Sequence, residues 1–173
     1  MSYSESLFLI LCGALLGPFF NSIGMLNGQE ALDYYAEVHQ SNWNSLMHTV
    51  GMPFTFYGIS CWFPALFRLS NANKNRMQEY IWTILFVHYM TIDLFRGMLC
   101  LSLYIYPAYL ALERTKYTLT DWDLFKHGFV VSFCALVFQE IIGHWLGGDD
   151  PSRVEGVPNA IFYSVFYSTY HLL

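Results

Sequence analysis

The sequence predicts an all-α integral membrane protein with about five to six transmembrane or re-entrant helices and one interfacial amphipathic helix. Apolar residues make up 55% of the chain and charged residues only 12%, which is about half the charged share of a soluble domain. Apolar stretches of about 20 residues, the length that crosses a hydrocarbon core, recur along the whole chain. The 173 residues suit one domain, so we interpret residues 1–173 as a single membrane domain.

Four apolar stretches are long enough, or nearly so, to be predicted as helices in a membrane: residues 6–26, 45–69, 124–146 and 157–173. The first is interrupted by Gly17-Pro18, which predicts a kink. The N-terminus lacks the positive start of a cleaved signal peptide, so we expect this helix to be retained. Between residues 28 and 44, acidic residues recur at helical spacing beside apolar ones, which predicts the amphipathic helix. The polar residues that follow it, including Ser41, are natural N-caps for the next helix.

The stretch from Tyr80 to Leu112 is too long for one crossing, since a helix of that length would reach about 50 Å. Asp93 and Arg96 lie near its middle and are followed by Gly97. We therefore predict two helices, about 80–95 and 97–112, with a break at the charged pair. The alternative is one long tilted helix with a buried ion pair.

The distribution of Lys and Arg favours two crossings. Apart from Arg96, these residues form one cluster at 68–76 and another at 114–126, with Arg153 alone in a later loop. Two crossings place six positive residues on one side against one on the other, and the positive-inside rule prefers such an asymmetry. The same rule puts the opposite face of the protein away from the cytoplasm.

Several classes of function are excluded by what the sequence lacks. No basic block or nucleic-acid-reading motif is present, so we expect no nucleic-acid partner. The signatures of serine hydrolases, P-loop enzymes and zinc proteases are absent, as are the clustered histidine boxes of membrane desaturases. The four cysteines lie in apolar runs without a CxxC pair, which indicates buried thiols: Cys12, Cys61, Cys100 and Cys134.

Six histidines are the chemical resource of the chain: His39, His48, His88, His127, His144 and His171. A short turn brings His39 and His48 to one membrane face. His144, at the end of its helix, emerges on that same face only if the 80–112 stretch crosses twice. We expect His88 and His127 to lie elsewhere, and we leave His171 out of the core site.

Three imidazoles on one face suggest a metal site with open positions for substrate and oxygen. Glu140 lies one turn before His144 and is a candidate fourth ligand, or a carboxylate that orients a histidine. A pairing of Glu140 with Lys126 or His127 is nearly as favourable. Gln139 can orient a ligand or form a hydrogen bond between helices.

The motifs around these histidines resemble those of the 2-hydroxy fatty acid dioxygenases of fungi and bacteria, the Mpo family. Residues 34–39, Tyr-Tyr-Ala-Glu-Val-His, and residues 44–53, which contain Asn-Ser-Leu-Met-His and Gly-Met-Pro, resemble its first block. Residues 138–144, Phe-Gln-Glu-Ile-Ile-Gly-His, resemble its second block. About 100 residues separate the two blocks, as in the family. On this basis residues 28–165 form a family-like core, and residues 1–27 add a helix.

The resemblance implies a small helical protein of the endoplasmic reticulum membrane with an iron(II)-dependent activity. The family's yeast member removes one carbon from a 2-hydroxy fatty acid in phytosphingosine breakdown. Carried over, His39, His48 and His144 become metal ligands and catalytic residues, with Asn44 and Gln139 in support.

The chain also departs from the family pattern. Gly148 stands where the family has a glutamate, with Glu155 and Pro158 as the displaced equivalents, and Gln40 replaces a second histidine beside His39.

We expect an Fe(II)-dependent dioxygenase that acts on a 2-hydroxy fatty acid or a related lipid with dioxygen. The alternative is a non-catalytic lipid-binding or transport protein whose histidines are structural, with Asp93, Arg96 and Glu140 as polar anchors inside the membrane. A zinc hydrolase is a third reading, weakened by the lack of a clearly placed nucleophile.

Overall fold

A computed structural model describes residues 2–24, 28–150 and 157–169, and these residues form helices joined by short turns. The helices are α1 (Tyr3–Ser22), α2 (Gly28–Val38), α3 (Asn42–Ala65), α4 (Asn71–Ile92), α5 (Leu94–Tyr117), α6 (Asp121–Val137) and α7 (Val157–Tyr167). A π-helix, Phe138–Trp145, continues α6. The described part of the chain contains no strand, so the all-helical prediction is confirmed.

Short polar side chains determine where most of these helices begin. Each of five accepts a hydrogen bond from a backbone N–H of the first turn: Ser2, Ser41, Ser70, Asp93 and Thr120. Such caps satisfy backbone donors that have no partner within the helix, and each contributes about 0.5–2 kcal/mol. The prediction that the polar turn before the second span supplies a cap is confirmed at Ser41.

The predicted break in the central stretch is confirmed and lies at Asp93. This residue is extended (φ −148°, ψ 112°), and its Oδ1 accepts the Arg96 N–H at 2.9 Å, so it ends α4 and caps α5. The Asp93 side chain is 44% exposed. The alternative of one continuous helix with a buried ion pair is therefore wrong.

Helices α4 and α5 form an antiparallel hairpin that is longer than predicted. Gln78 near the start of α4 donates to Thr115 near the end of α5 (Nε2 to Oγ1, 2.9 Å). At the hairpin turn, a methyl group on Gly97 would lie 2.6 Å from the backbone nitrogen of Met90. The hairpin extends beyond the predicted limits because α4 begins in a polar segment. Within that segment, the buried Lys74 pairs with Asp121 at the start of α6.

Helices α3 and α6 pack against each other in antiparallel directions at close range. A methyl group on Gly58 would lie 2.5 Å from the Ser132 backbone nitrogen, and one on Gly128 would lie 2.5 Å from the Gly58 carbonyl oxygen. Toward the other end, a methyl group on Gly143 would lie 2.7 Å from Asn44 Oδ1. Glycine at these positions lets the backbones approach, as is common where helices associate in membranes. The end of the π-helix consequently lies beside the start of α3.

Three helices of the described residues are long and apolar enough to cross a membrane: Tyr3–Ser22, Leu94–Tyr117 and Asp121–Trp145. Much of their apolar surface faces outward, including Phe8, Ile105 and Phe133, each more than half exposed. A protein in water seldom exposes such extended apolar surface. These helices are consistent with a membrane protein.

Candidate metal centre

Three histidines from different elements converge at one end of the helices. His39 follows α2, His48 lies in the second turn of α3, and His144 lies in the π-helix. His48 Nε2 lies 3.2 Å from His39 Nε2 and 3.2 Å from His144 Nε2. The three side chains are only 3%, 8% and 2% exposed. One ring nitrogen of each histidine lies within 4.8 Å of the others, an arrangement that could hold a metal ion.

The hydrogen bonds of the outer ring nitrogens determine which atoms face the centre. His39 Nδ1 lies 3.0 Å from the Tyr35 carbonyl oxygen, and His144 Nδ1 lies 2.8 Å from the Asp150 carbonyl oxygen. A carbonyl oxygen only accepts hydrogen bonds, so both Nδ1 atoms carry the hydrogen. In the neutral rings, His39 and His144 therefore direct Nε2 lone pairs toward His48.

These lone pairs fit a divalent cation. If His48 Nε2 carries a hydrogen, that single hydrogen would have to be shared between the lone pairs of His39 and His144. Protonating a second or third ring would place positive charges close together, which is unfavourable. Nitrogens that bind one ion at about 2.1 Å lie about 3.0–3.4 Å apart at octahedral or tetrahedral angles. The two Nε2 separations of 3.2 Å fall in that range. The donor set suits Fe(II) or Zn(II) and does not discriminate between them.

The π-helix lies where α6 passes the site. Gln139, Gly143 and His144 face the interior from this segment. Turns of this kind are rare and occur often at functional sites. Gly143 leaves room for the Asn44 side chain, so that the widened turn and the start of α3 fit together.

Asn44 lies beside the histidines and links them to the following loop. Its Nδ2 donates to Asp149 Oδ2 at 2.9 Å and lies 3.3 Å from His144 Nδ1. Its Oδ1 is buried and has no hydrogen-bond partner among the described residues. Asn44 thus contacts His144 at Nδ1, the ring nitrogen that faces away from the other two histidines. This contact does not place Asn44 among the Nε2 atoms of the cluster.

Glu140 lies beside the cluster, close to His144. Its Oε2 is 4.0 Å from His144 Nε2, and the side chain is 45% exposed. The two alternative partners are engaged elsewhere, since Lys126 pairs with Asp123 at 3.0 Å and His127 Nε2 lies 2.9 Å from the Tyr57 hydroxyl. The alternative pairing of Glu140 is therefore wrong. Because the carboxylate faces Nε2 and not Nδ1, its position suits a fourth ligand better than a group that orients His144.

Gln139 forms a hydrogen bond between helices, which is one of the two roles that the sequence predicts for it. Its Nε2 donates to Thr55 Oγ1 at 2.8 Å and to the Ala135 carbonyl oxygen at 3.0 Å. A methyl group on Gly51 would lie 2.5 Å from Gln139 Cγ, so this glycine makes room for the amide. The hydrogen bonds of the described residues connect Gln139 to no histidine. The expectation that it supports the ligands is corrected accordingly.

His88 and His127 lie outside the cluster, as predicted. His88 Nε2 lies 3.2 Å from the Tyr163 hydroxyl, with Phe20 against its ring. His127 bonds with Tyr57, as above. His171 lies outside the described residues, as does the expected replacement of the family glutamate by Glu155.

Comparison of the chain with known protein families, curated proteins and solved structures finds no match. The resemblance to the 2-hydroxy fatty acid dioxygenases thus rests on the sequence motifs alone.

Two residues around the site were not among the predicted site residues. Tyr35 stacks on His39 with ring centroids 3.8 Å apart and supplies the carbonyl that binds its Nδ1. The spacing of these two residues by one helical turn was a usable signal for this contact. Asp149 binds the start of α3 from 108 residues away, and no local pattern indicates such a contact.

Asp149 is held as a carboxylate by its neighbours. Partial burial raises its pKa, but hydrogen bonds from Asn44 and from the Ser41 backbone outweigh that effect. The net result is a pKa below the ordinary value of 3.8. Asp149 is therefore negatively charged at neutral pH, beside the N-terminus of α3, where the helix dipole favours an anion.

Proposed function

We propose that this protein is an Fe(II)-dependent membrane dioxygenase that shortens 2-hydroxy fatty acids by one carbon. The observation that carries the proposal is the convergence of Nε2 atoms from His39, His48 and His144 in a buried cluster. The two sequence blocks that resemble the dioxygenase family contain these three histidines. Geometry supports a metal, and the motifs support iron and the reaction.

His39, His48 and His144 would hold the metal, and Glu140 is near enough to add a carboxylate oxygen. Iron bound by three histidines would leave positions for a 2-hydroxy carboxylate and for dioxygen, and would supply electrons to the oxygen. The carbonyl groups of Tyr35 and Asp150 keep two of the ligand nitrogens deprotonated toward the centre. Burial of all three rings would limit the access of bulk water to a metal held between them.

The overall reaction balances without a further reductant. A 2-hydroxy acid and dioxygen would give the acid shorter by one carbon, carbon dioxide and water. The bond between C1 and C2 breaks, C1 leaves as carbon dioxide, and C2 becomes the new carboxyl carbon.

The apolar helices support a lipid substrate reached from the bilayer. We further propose that α3, α4 and α7 complete a set of five to six spanning or re-entrant helices, with α2 at the interface. The endoplasmic reticulum membrane is the location that the family resemblance favours.

The test begins with metal analysis of the full chain purified in detergent. We expect about one iron per chain after anaerobic loading, and loss of that iron in His48→Ala. His127→Ala is the matched control because this histidine lies at the other end of α6 and should leave iron content unchanged.

The reaction is tested by incubating the iron-loaded protein with 2-hydroxypalmitate under ¹⁸O₂. We expect pentadecanoic acid carrying ¹⁸O, and none without oxygen. Iron content that does not depend on His48 or His144 would refute the site. Bound iron with no oxygen-dependent product would refute the reaction and leave the metal site standing.

A further inference from the structure

We propose that Asp149 is a positioning residue for the histidine centre: it latches residues 146–150 to the start of α3 and thereby fixes His144. The inference rests on the proposed metal site and adds a residue that contacts no ligand nitrogen at the centre. Its contacts with Ser41 and Asn44 are called the Asp149 latch below.

The turn after the π-helix directs Asp149 back toward α3. Gly148 has a positive φ of 76°, and the Asp149 N–H donates to the His144 carbonyl oxygen at 3.2 Å. This pattern, a left-handed glycine followed by a long backward hydrogen bond, is the usual way in which a helix ends in a reversal. The reversal places the Asp149 carboxylate at the N-terminus of α3.

The carboxylate accepts hydrogen bonds from Ser41, the N-cap of α3, and from Asn44 in the first turn of α3. The Ser41 backbone N–H donates to Oδ1 at 3.2 Å and to Oδ2 at 3.0 Å, and Asn44 Nδ2 donates to Oδ2 at 2.9 Å. Hydrogen bonds to a charged acceptor are stronger than those between neutral groups. The latch thus joins two segments that are more than 100 residues apart in the chain.

The latch acts on His144 through Asp150 and Asn44, which both lie near its Nδ1 atom. The next residue, Asp150, supplies the carbonyl oxygen that accepts the His144 Nδ1 hydrogen at 2.8 Å. Asn44, held by Asp149, lies 3.3 Å from the same nitrogen. Releasing Asp149 frees the Asp150 carbonyl to move, and His144 Nδ1 then loses the acceptor that keeps its hydrogen away from Nε2. Partners of this kind commonly change metal affinity by about 10- to 100-fold.

Glu37 provides a control for the loss of a charge. Its side chain is exposed near the end of α2, and it is not among the residues proposed to hold or position the metal. Asp149→Ala and Glu37→Ala each remove one carboxylate. Asp149→Asn keeps one carbonyl oxygen as an acceptor and should partly rescue the effects of Asp149→Ala.

The first measurement uses the metal-free full chain in detergent. Hydrogen exchange followed by mass spectrometry should show faster exchange of the Ser41 amide in Asp149→Ala, an intermediate rate in Asp149→Asn and the wild-type rate in Glu37→Ala. An unchanged rate in Asp149→Ala would overturn the latch.

The second measurement is Co(II) binding followed by the visible spectrum, in which band intensity reports the coordination of the ion. We expect affinity to fall about 10- to 100-fold in Asp149→Ala, with altered bands, and to be unchanged in Glu37→Ala. Faster exchange with unchanged Co(II) affinity and spectrum would overturn the positioning role. A wild-type chain that binds neither Co(II) nor Fe(II) would instead refute the proposed function. The hydrogen-exchange measurement would still show whether Asp149 holds the Ser41 amide.

Discussion

The Nε2 atoms of His48 and His144 lie 3.2 Å apart although 96 residues separate these histidines in the chain. Their meeting depends on the direction of each helix between them. Helix α3 leads away from the site, α4 returns, α5 leads away again, and α6 returns with the π-helix. A single long helix in place of the α4–α5 hairpin would have delivered His144 to the opposite end.

Replacing His144 tests whether the cluster is one binding site. We expect His144→Ala to lower Co(II) affinity by at least about 100-fold, because it removes a ligand and not only a supporting partner. Titration of the purified chain in detergent measures this effect. His88→Ala serves as the comparison, since His88 bonds with Tyr163 outside the cluster. Equal losses in both variants would show that the effect is one of general stability.

The close approach of α3 and α6 predicts a stability effect at Gly58. A methyl group there would lie 2.5 Å from the Ser132 backbone nitrogen, which cannot yield without moving a helix. We expect Gly58→Ala to lower the free energy of unfolding in detergent by about 1–3 kcal/mol.

The Gly58–Gly128 contact also predicts non-additivity. Once one added methyl group has separated the helices, the second should destabilise the protein less. The loss of unfolding free energy in the double variant, Gly58→Ala with Gly128→Ala, should therefore be smaller than the sum of the losses in the two single variants. Val130→Ala on the exposed face of α6 is the control and should change stability little. Additive losses would contradict a shared contact.

Much of the fold follows from local signals in the sequence. The caps at Ser41 and Asp93 begin helices because their side chains accept backbone hydrogen bonds, and the length of the 80–112 stretch forces a turn. Hydropathy does not predict the start of α4, because it excludes a segment that contains Lys74. That lysine is buried only because Asp121 pairs with it from 47 residues away.

The convergence of the three histidines was predictable from the sequence, and the contacts around them were not. Counting crossings was enough to put His39, His48 and His144 on one face. The π-helix depends on how α3 and α6 fit together, and Gln139 bonds with Thr55 for the same reason. Tertiary contacts of this kind leave no periodic signal along the chain.

The direction of the helices also predicts the sidedness of the loops. With all four native cysteines replaced by alanine, single cysteines at Leu69 and Leu119 should react with an impermeant maleimide from one side of the membrane. A cysteine at Leu94 should react from the other side, because it lies at the turn of the α4–α5 hairpin. All three positions are exposed.

The positive clusters near residues 69 and 119 predict that their side is cytoplasmic. Labelling of sealed vesicles of known orientation measures this. Reaction of Leu69 and Leu119 cysteines from opposite sides would contradict two crossings by the hairpin.

The reversal at Gly148 predicts a further effect on the site. Its φ of 76° disfavours any residue with a Cβ atom, although nothing lies within 4 Å of where that atom would be. Gly148→Ala should therefore act through the backbone alone, with a cost of about 1–2 kcal/mol to the reversal. We expect weaker Co(II) binding and faster exchange at Ser41, as in Asp149→Ala. Wild-type behaviour in both measurements would show that the reversal does not hold the latch.

The lowered pKa of Asp149 predicts how the latch depends on pH. A carboxyl group whose pKa is lower in the folded protein than in the unfolded chain adds stability above the unfolded pKa, and this contribution is lost as pH falls through the folded value. The difference in unfolding free energy between wild type and Asp149→Asn should therefore be constant from about pH 7 to pH 5 and shrink below about pH 4.

Denaturant unfolding of the metal-free chain at several pH values measures this difference. Every titratable group other than Asp149 is present in both proteins, whereas the Asp149 carboxyl group is present only in the wild type. A difference between wild type and Asp149→Asn that persists undiminished to about pH 2 would contradict a stabilising carboxylate at Asp149, because the unfolded chain then binds a proton at this group and gains stability relative to the folded chain.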